Sequence, residues 1–101
     1  MSQKLGILVG SDRYLDYVLH LTEAAHEKGK AIEIFFTGNG VKLTQAPDFA
    51  KLVGKARLSV CDVSFRAFGF EGEVPGVGFK DFATQARNAE MVNSCDRYLV
   101  F

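Results

Sequence analysis

Three short apolar runs, at residues 5–9, 31–36 and 57–61, are separated by segments of helix length, each of which closes on a glycine. This spacing constrains the fold more than any other feature of the chain. The run at 5–9 is almost unbroken in its apolarity, which suits a strand covered on both faces, as in a parallel sheet, while 57–61 alternates in a way that also suits a buried strand. Parallel neighbours need a crossover between them, and the intervening segments are long enough to supply one.

In the first crossover, Leu15, Val18, Leu19, Thr22 and Ala25 recur at helical spacing, with Tyr14, Tyr17 and Leu21 widening the stripe. Ser11 or Asp12 is placed to cap this helix, and Gly29 to end it. A second helix is expected from Pro47, using Phe49, Ala50, Leu52 and Val53. After Cys61 the pattern is helical for two turns through Val63, Phe65, Ala67 and Phe68. Residues 69–78 hold four Gly and one Pro and make no regular element. A last helix is expected to carry Phe79, Phe82, Ala83, Ala86, Ala89 and Val92, before a closing strand at 96–101. The order β-α-β-α-β-α-α-β implies an α/β fold of three layers, α/β/α, around a doubly wound, mostly parallel sheet of four to five strands. At 101 residues the whole of 1–101 reads as a single domain.

Ligands and chemistry in such sheets gather at the carboxyl ends of the strands. That edge carries Gly10-Ser11-Asp12, the turn Thr37-Gly38-Asn39-Gly40, and Cys61 with Asp62. Cys61 ends a strand and opens a helix, where free N–H groups favour thiolate over thiol. Buried cysteines also pack as small hydrophobes, so at this point a reactive and a packing Cys61 are both open. Asp62 caps the helix in one reading and raises the thiol pKa in the other. Cys95 precedes the last strand and so falls at the opposite edge. A six-residue strand rises roughly 20 Å, far beyond the reach of a disulfide, and Cys95 reads as structural.

Gly38-Asn39-Gly40 has backbone N–H groups that suit an anion, but neither the Lys-Ser/Thr ending of a P-loop nor dinucleotide spacing. A plain turn is the favoured reading of so short a signal. His20 and His26, six apart on one helix, lack metal-ligand spacing. No metal and no cofactor is expected. Phe65, Phe68 and Phe70 form either core or an apolar wall beside the thiol.

Twelve basic and twelve acidic residues leave no net charge, and Lys28 with Lys30 is the densest basic pair. That argues against nucleic acid, which needs a concentrated cationic face. No apolar run approaches the 18 or so residues that span a bilayer, and the opening Met1-Ser2-Gln3-Lys4 shows no cleavable signal. A cytoplasmic protein with reduced thiols is expected. Nine Phe are generous for this length and point to an oligomer interface.

The chain resembles the DsrE/DsrF-like family, which includes the Tus-type sulfur-relay subunits. The resemblance rests on an ordered set: Lys4-Leu5-Gly6-Ile7-Leu8-Val9, Phe35-Phe36-Thr37-Gly38-Asn39-Gly40-Val41, Cys61 with Gly69, and the 82–101 closing segment with Cys95-Asp96-Arg97-Tyr98. It implies a parallel α/β/α domain assembled into trimers or hexamers. It also implies that the cysteine matching Cys61 carries sulfur as a persulfide, delivered or received by a partner protein. A strand common in the family is expected to be missing from the segment between Gly69 and Phe79. The alternative class is a non-catalytic oligomeric subunit that binds a small ligand or protein partner through Ser11 and Gly38–Gly40, with Cys61 only packing.

Overall fold

The computed structural model describes residues 3–101; Met1 and Ser2, where the reading of an absent signal begins, lie outside the described residues. Five strands form one sheet: β1 (Lys4–Val9), β2 (Ala31–Phe36), β3 (Arg57–Cys61), β4 (Phe82–Ala83) and β5 (Arg97–Val100). Their order is β4-β3-β2-β1-β5 and every pairing is parallel. All the strands therefore end at one edge, and Cys61 is the last residue of β3.

Alternate side chains divide the sheet into two faces. Leu5, Ile7 and Val9 join Ile32, Ile34, Phe36, Leu58 and Val60 in the main core. Helix α1 (Leu15–Glu27) covers them with Val18, Thr22 and Ala25. The opposite face holds a smaller cluster of Phe35, Cys61 and Met91, with Leu8, Ala83, Cys95 and Tyr98 packed against it. Helix α3 (Gln85–Ser94) covers that face, leading the chain from β4 at one edge of the sheet to β5 at the other. Helix α2 (Asp62–Ala67) lies between β3 and β4 in the chain and turns Phe65 into the main core.

Four local expectations are corrected. The helix expected at Pro47 is instead a pair of 3₁₀ helices, Gly38–Gln45 and Pro47–Leu52. Pro47 holds Ala46 extended (φ −78°, ψ 140°) and divides them. Phe49 and Leu52 are buried while Ala50 and Val53 are exposed, the three-residue spacing of a 3₁₀ turn. Neither Ser11 nor Asp12 caps α1: the helix starts at Leu15 without a side-chain cap, and Ser11 Oγ accepts from the Arg13 N–H at 3.2 Å. Tyr14 and Tyr17 do not widen the buried stripe, and Tyr17 is 65% exposed. The last helix starts at Gln85, because Phe82 and Ala83 pair with Val60 and Cys61 as a fourth strand. Phe79, expected on that helix, is 95% exposed in a short 3₁₀ turn.

The Gly-rich segment 69–78 carries no strand; Val74 and Val77 face each other in an isolated bridge and plug into the main core. Beyond it, a chain of charges ties the approach to α3 onto the sheet. Glu33 pairs with Lys4 (3.1 Å) and Arg57 (3.2 Å), and Arg57 reaches Asp81 at 3.5 Å. The Arg87 guanidinium then binds Asp81 Oδ1 at 3.0 Å, Ser59 Oγ at 2.6 Å and the Lys80 carbonyl at 3.1 Å. This places the first turn of α3, and with it Gln85, over the end of β3.

Candidate functional site

Cys61 Sγ lies where three neighbouring chain segments meet: the turn leaving β2, the first turn of α2 and the first turn of α3. Only 5% of the residue is exposed. Burial is the largest influence on the thiol and pushes its pKa up. Hydrogen bonds from the Ser64 hydroxyl, the Ser64 N–H, the Thr37 hydroxyl and the Val63 N–H together outweigh it, so the thiol sits below its ordinary value. The Gln85 side-chain amide adds a fifth donor, with Nε2 at 3.9 Å from the sulfur.

The two hydroxyls are themselves oriented. Ser64 Oγ accepts from the Gly38 N–H at 3.0 Å, and Thr37 Oγ1 accepts from Gln85 Nε2 at 3.0 Å. A hydroxyl that accepts from outside keeps its own proton to donate. Both protons are thus free for the sulfur, which favours an anion there.

The expected site residues divide into two groups. Gly38 belongs to the site through its bond to Ser64. Asn39 is exposed in the turn beside it. Gly40 is buried, and a Cβ there would strike the Val9 carbonyl, so its role is close packing. Ser11 is occupied with the Arg13 N–H, away from the donors around Cys61. Asp62 turns its carboxylate to Arg66 Nε at 3.0 Å, so its charge is engaged there. Phe65, Phe68 and Phe70 do not wall the thiol. Phe65, with Phe70 packed edge-on against it, belongs to the main core on the other face, and Phe68 lies under Lys42 Nζ at 4.9 Å. Phe65, Phe70 and Asp62 border an open recess of about 770 Å³.

Thr37 lies on the strand-end edge the sequence marked, while Ser64 and Gln85 are the site residues that sequence reasoning missed. Ser64 had a signal, since a residue three after a strand-ending cysteine sits in the first turn of the next helix. Gln85 had none, because its position depends on where α3 crosses the sheet.

Cys95 is unlike Cys61. Both are free thiols. Cys95 follows α3 at the amino edge, with its Sγ 2.8 Å from where a Cβ on Gly6 would lie, and burial pushes its thiol up. His20 and His26 are exposed on α1. Among the described residues no group of His, Cys, Asp or Glu is arranged to hold a metal, and no helix is long and apolar enough to cross a membrane.

Together these features define a doubly wound α/β protein with a sheltered, anion-favouring cysteine at the carboxyl edge of its sheet. In overall fold it is similar to the ychN protein from E. coli, whose crystal structure superposes with a TM-score of 0.78 over 100% of both chains at 17% sequence identity. No protein-family model matches the chain. No curated protein matches it either.

Proposed function

We propose that this chain is a cytoplasmic sulfur carrier of the DsrE/DsrF-like kind, in which Cys61 holds sulfur as a persulfide between a donor and an acceptor protein. The observation that supports this most is the ring of donors that keeps the Cys61 thiol low despite its burial. A thiolate is the attacking species in sulfur transfer. It attacks the outer sulfur of a donor persulfide, the donor's S–S bond breaks as the new one forms, and the donor leaves as a thiolate. The acceptor thiolate repeats the exchange on the outer sulfur of Cys61. No net oxidation occurs in either step, so no cofactor is needed. The donors around Sγ stabilise the anion before and after transfer. A homo-oligomer, trimer or hexamer, is part of this proposal. Cyanide-labile sulfur measured after exposure to a persulfide donor tests it: wild type should release about one sulfur per chain, by the single-thiolate argument, and Cys61→Ser none. Equal release from both would refute it.

A second reading has its own support in the packing of Cys61 against Phe35 and Met91. Here the chain is a non-catalytic oligomeric subunit that binds a small ligand or partner at the strand-end turns. A Cys61 pKa at or above the free thiol value of about 8.5 would favour it.

A further inference from the structure

The edge of the sheet opposite Cys61 carries a groove of about 330 Å³ between β1, the end of α1 and the start of β5. Its floor is aliphatic, from Leu5, Leu21 and Ala25, and its rim is cationic, from Lys28, Lys30 and Arg97. Lys30 Nζ is held by Gln3 Oε1 at 2.7 Å, while Lys28 and Arg97 make no ion pair among the described residues. Among those residues no carboxylate lines the groove.

In a chain with twelve basic and twelve acidic residues this is a local excess of one sign. Like charges gathered beside a low-dielectric floor repel, and an anion placed between them relieves that repulsion while gaining from the same low dielectric. The floor has no aromatic ring on which a nucleobase could stack, and its aliphatic surface suits a hydrocarbon tail. Charge at the mouth and an aliphatic bottom are together the complement of an anionic amphiphile. We propose that this groove binds an alkyl carboxylate, with its head between Lys28, Lys30 and Arg97 and its tail along Leu5, Leu21 and Ala25. Arg97 supplies the planar fork that fits a carboxylate. The site shares no residue with the surroundings of Cys61 and stands whether or not that cysteine carries sulfur.

The test is a titration of the full chain with decanoate, followed by amide ¹H–¹⁵N chemical shifts, with acetate and decyltrimethylammonium as controls. Decanoate should give saturable shifts at Leu5, Leu21, Ala25 and Lys28 with a dissociation constant below about 1 mM. Acetate, lacking the tail, and decyltrimethylammonium, carrying the wrong charge, should bind at least about tenfold more weakly. The double variant Lys28→Gln, Arg97→Gln changes only exposed side chains and should weaken decanoate by about tenfold or more. Shifts that do not saturate or that fall elsewhere would overturn the proposal. So would an unaffected double variant, equal binding of the cationic amphiphile, or ligand-free shifts of the same amides on raising the protein concentration, which would assign the groove to a second copy of the chain.

Discussion

The Gly38 backbone N–H donates to Ser64 Oγ at 3.0 Å, tying the turn after β2 to the helix that follows Cys61. The bond holds the serine hydroxyl in place in the first turn of that helix. With one lone pair of Oγ taken by Gly38, the hydroxyl keeps its own proton to donate, and it acts on the Cys61 thiol to lower its pKa. The anion-favouring character of Cys61 therefore depends on two segments that are 26 residues apart in sequence.

Removing that hydroxyl should cost Cys61 reactivity. A hydrogen bond to a charged group is worth roughly 1.5–3 kcal/mol, so Ser64→Ala should slow alkylation of Cys61 at neutral pH by about tenfold or more. Ser64→Thr keeps a hydroxyl and should retain most of the rate. Iodoacetamide kinetics in a Cys95→Ser background, where only Cys61 reacts, provide the check.

The two thiols should give stability opposite dependences on pH. Hydrogen bonding lowers the Cys61 pKa in the folded state, against the pull of its burial, so between its folded value and the unfolded value of about 8.5 the unfolded chain binds more protons. Stability from Cys61 thus rises with pH across that window, stays at its full value above it and is lost as pH falls through the folded pKa. Burial raises Cys95, so its contribution is present below about 8.5 and is lost as pH climbs from there toward its folded value. Urea melts of Cys61→Ser and Cys95→Ser against wild type from neutral to alkaline pH should show these two opposite trends.

Gly40 has no room for a methyl group. A Cβ there would overlap the Val9 carbonyl oxygen, a backbone atom that cannot swing aside. Gly40→Ala should destabilise the protein by about 2 kcal/mol or more, read as a lower urea midpoint at unchanged slope.

Thr22 offers a gain. Its hydroxyl is fully buried in α1 and has no hydrogen-bond partner. Thr22→Val preserves the branched shape and removes the orphaned group, and should stabilise the fold by about 1 kcal/mol. A rise in the thermal midpoint is the expected result.

The first three strands and the carboxyl-edge location of Cys61 were legible in the sequence, because nearly continuous apolar runs such as 5–9 report burial on both faces. The closing strand was legible too, though its pairing partner was not. What escaped depends on tertiary context. Phe82 and Ala83 make a strand only by lying beside Val60 and Cys61, and two residues carry no periodicity of their own. Residues 47–53 carry a helix-like apolar pattern, but the chain from 38 to 52 forms two 3₁₀ helices divided at Pro47. Asp62 is adjacent to Cys61 in sequence, yet its direction is set by Arg66 one turn later. Gln85 reaches the sulfur only because Arg87, Asp81 and Ser59 pin the start of α3 to the sheet.

The central claim is that Cys61, and no other residue, carries sulfur. Intact mass after treatment with a polysulfide, taken for wild type, Cys95→Ser and Cys61→Ser, tests it most directly. The account predicts a reductant-labile gain of one sulfur atom on wild type and on Cys95→Ser, and none on Cys61→Ser. A gain that persists in Cys61→Ser, or its absence from wild type, would contradict it.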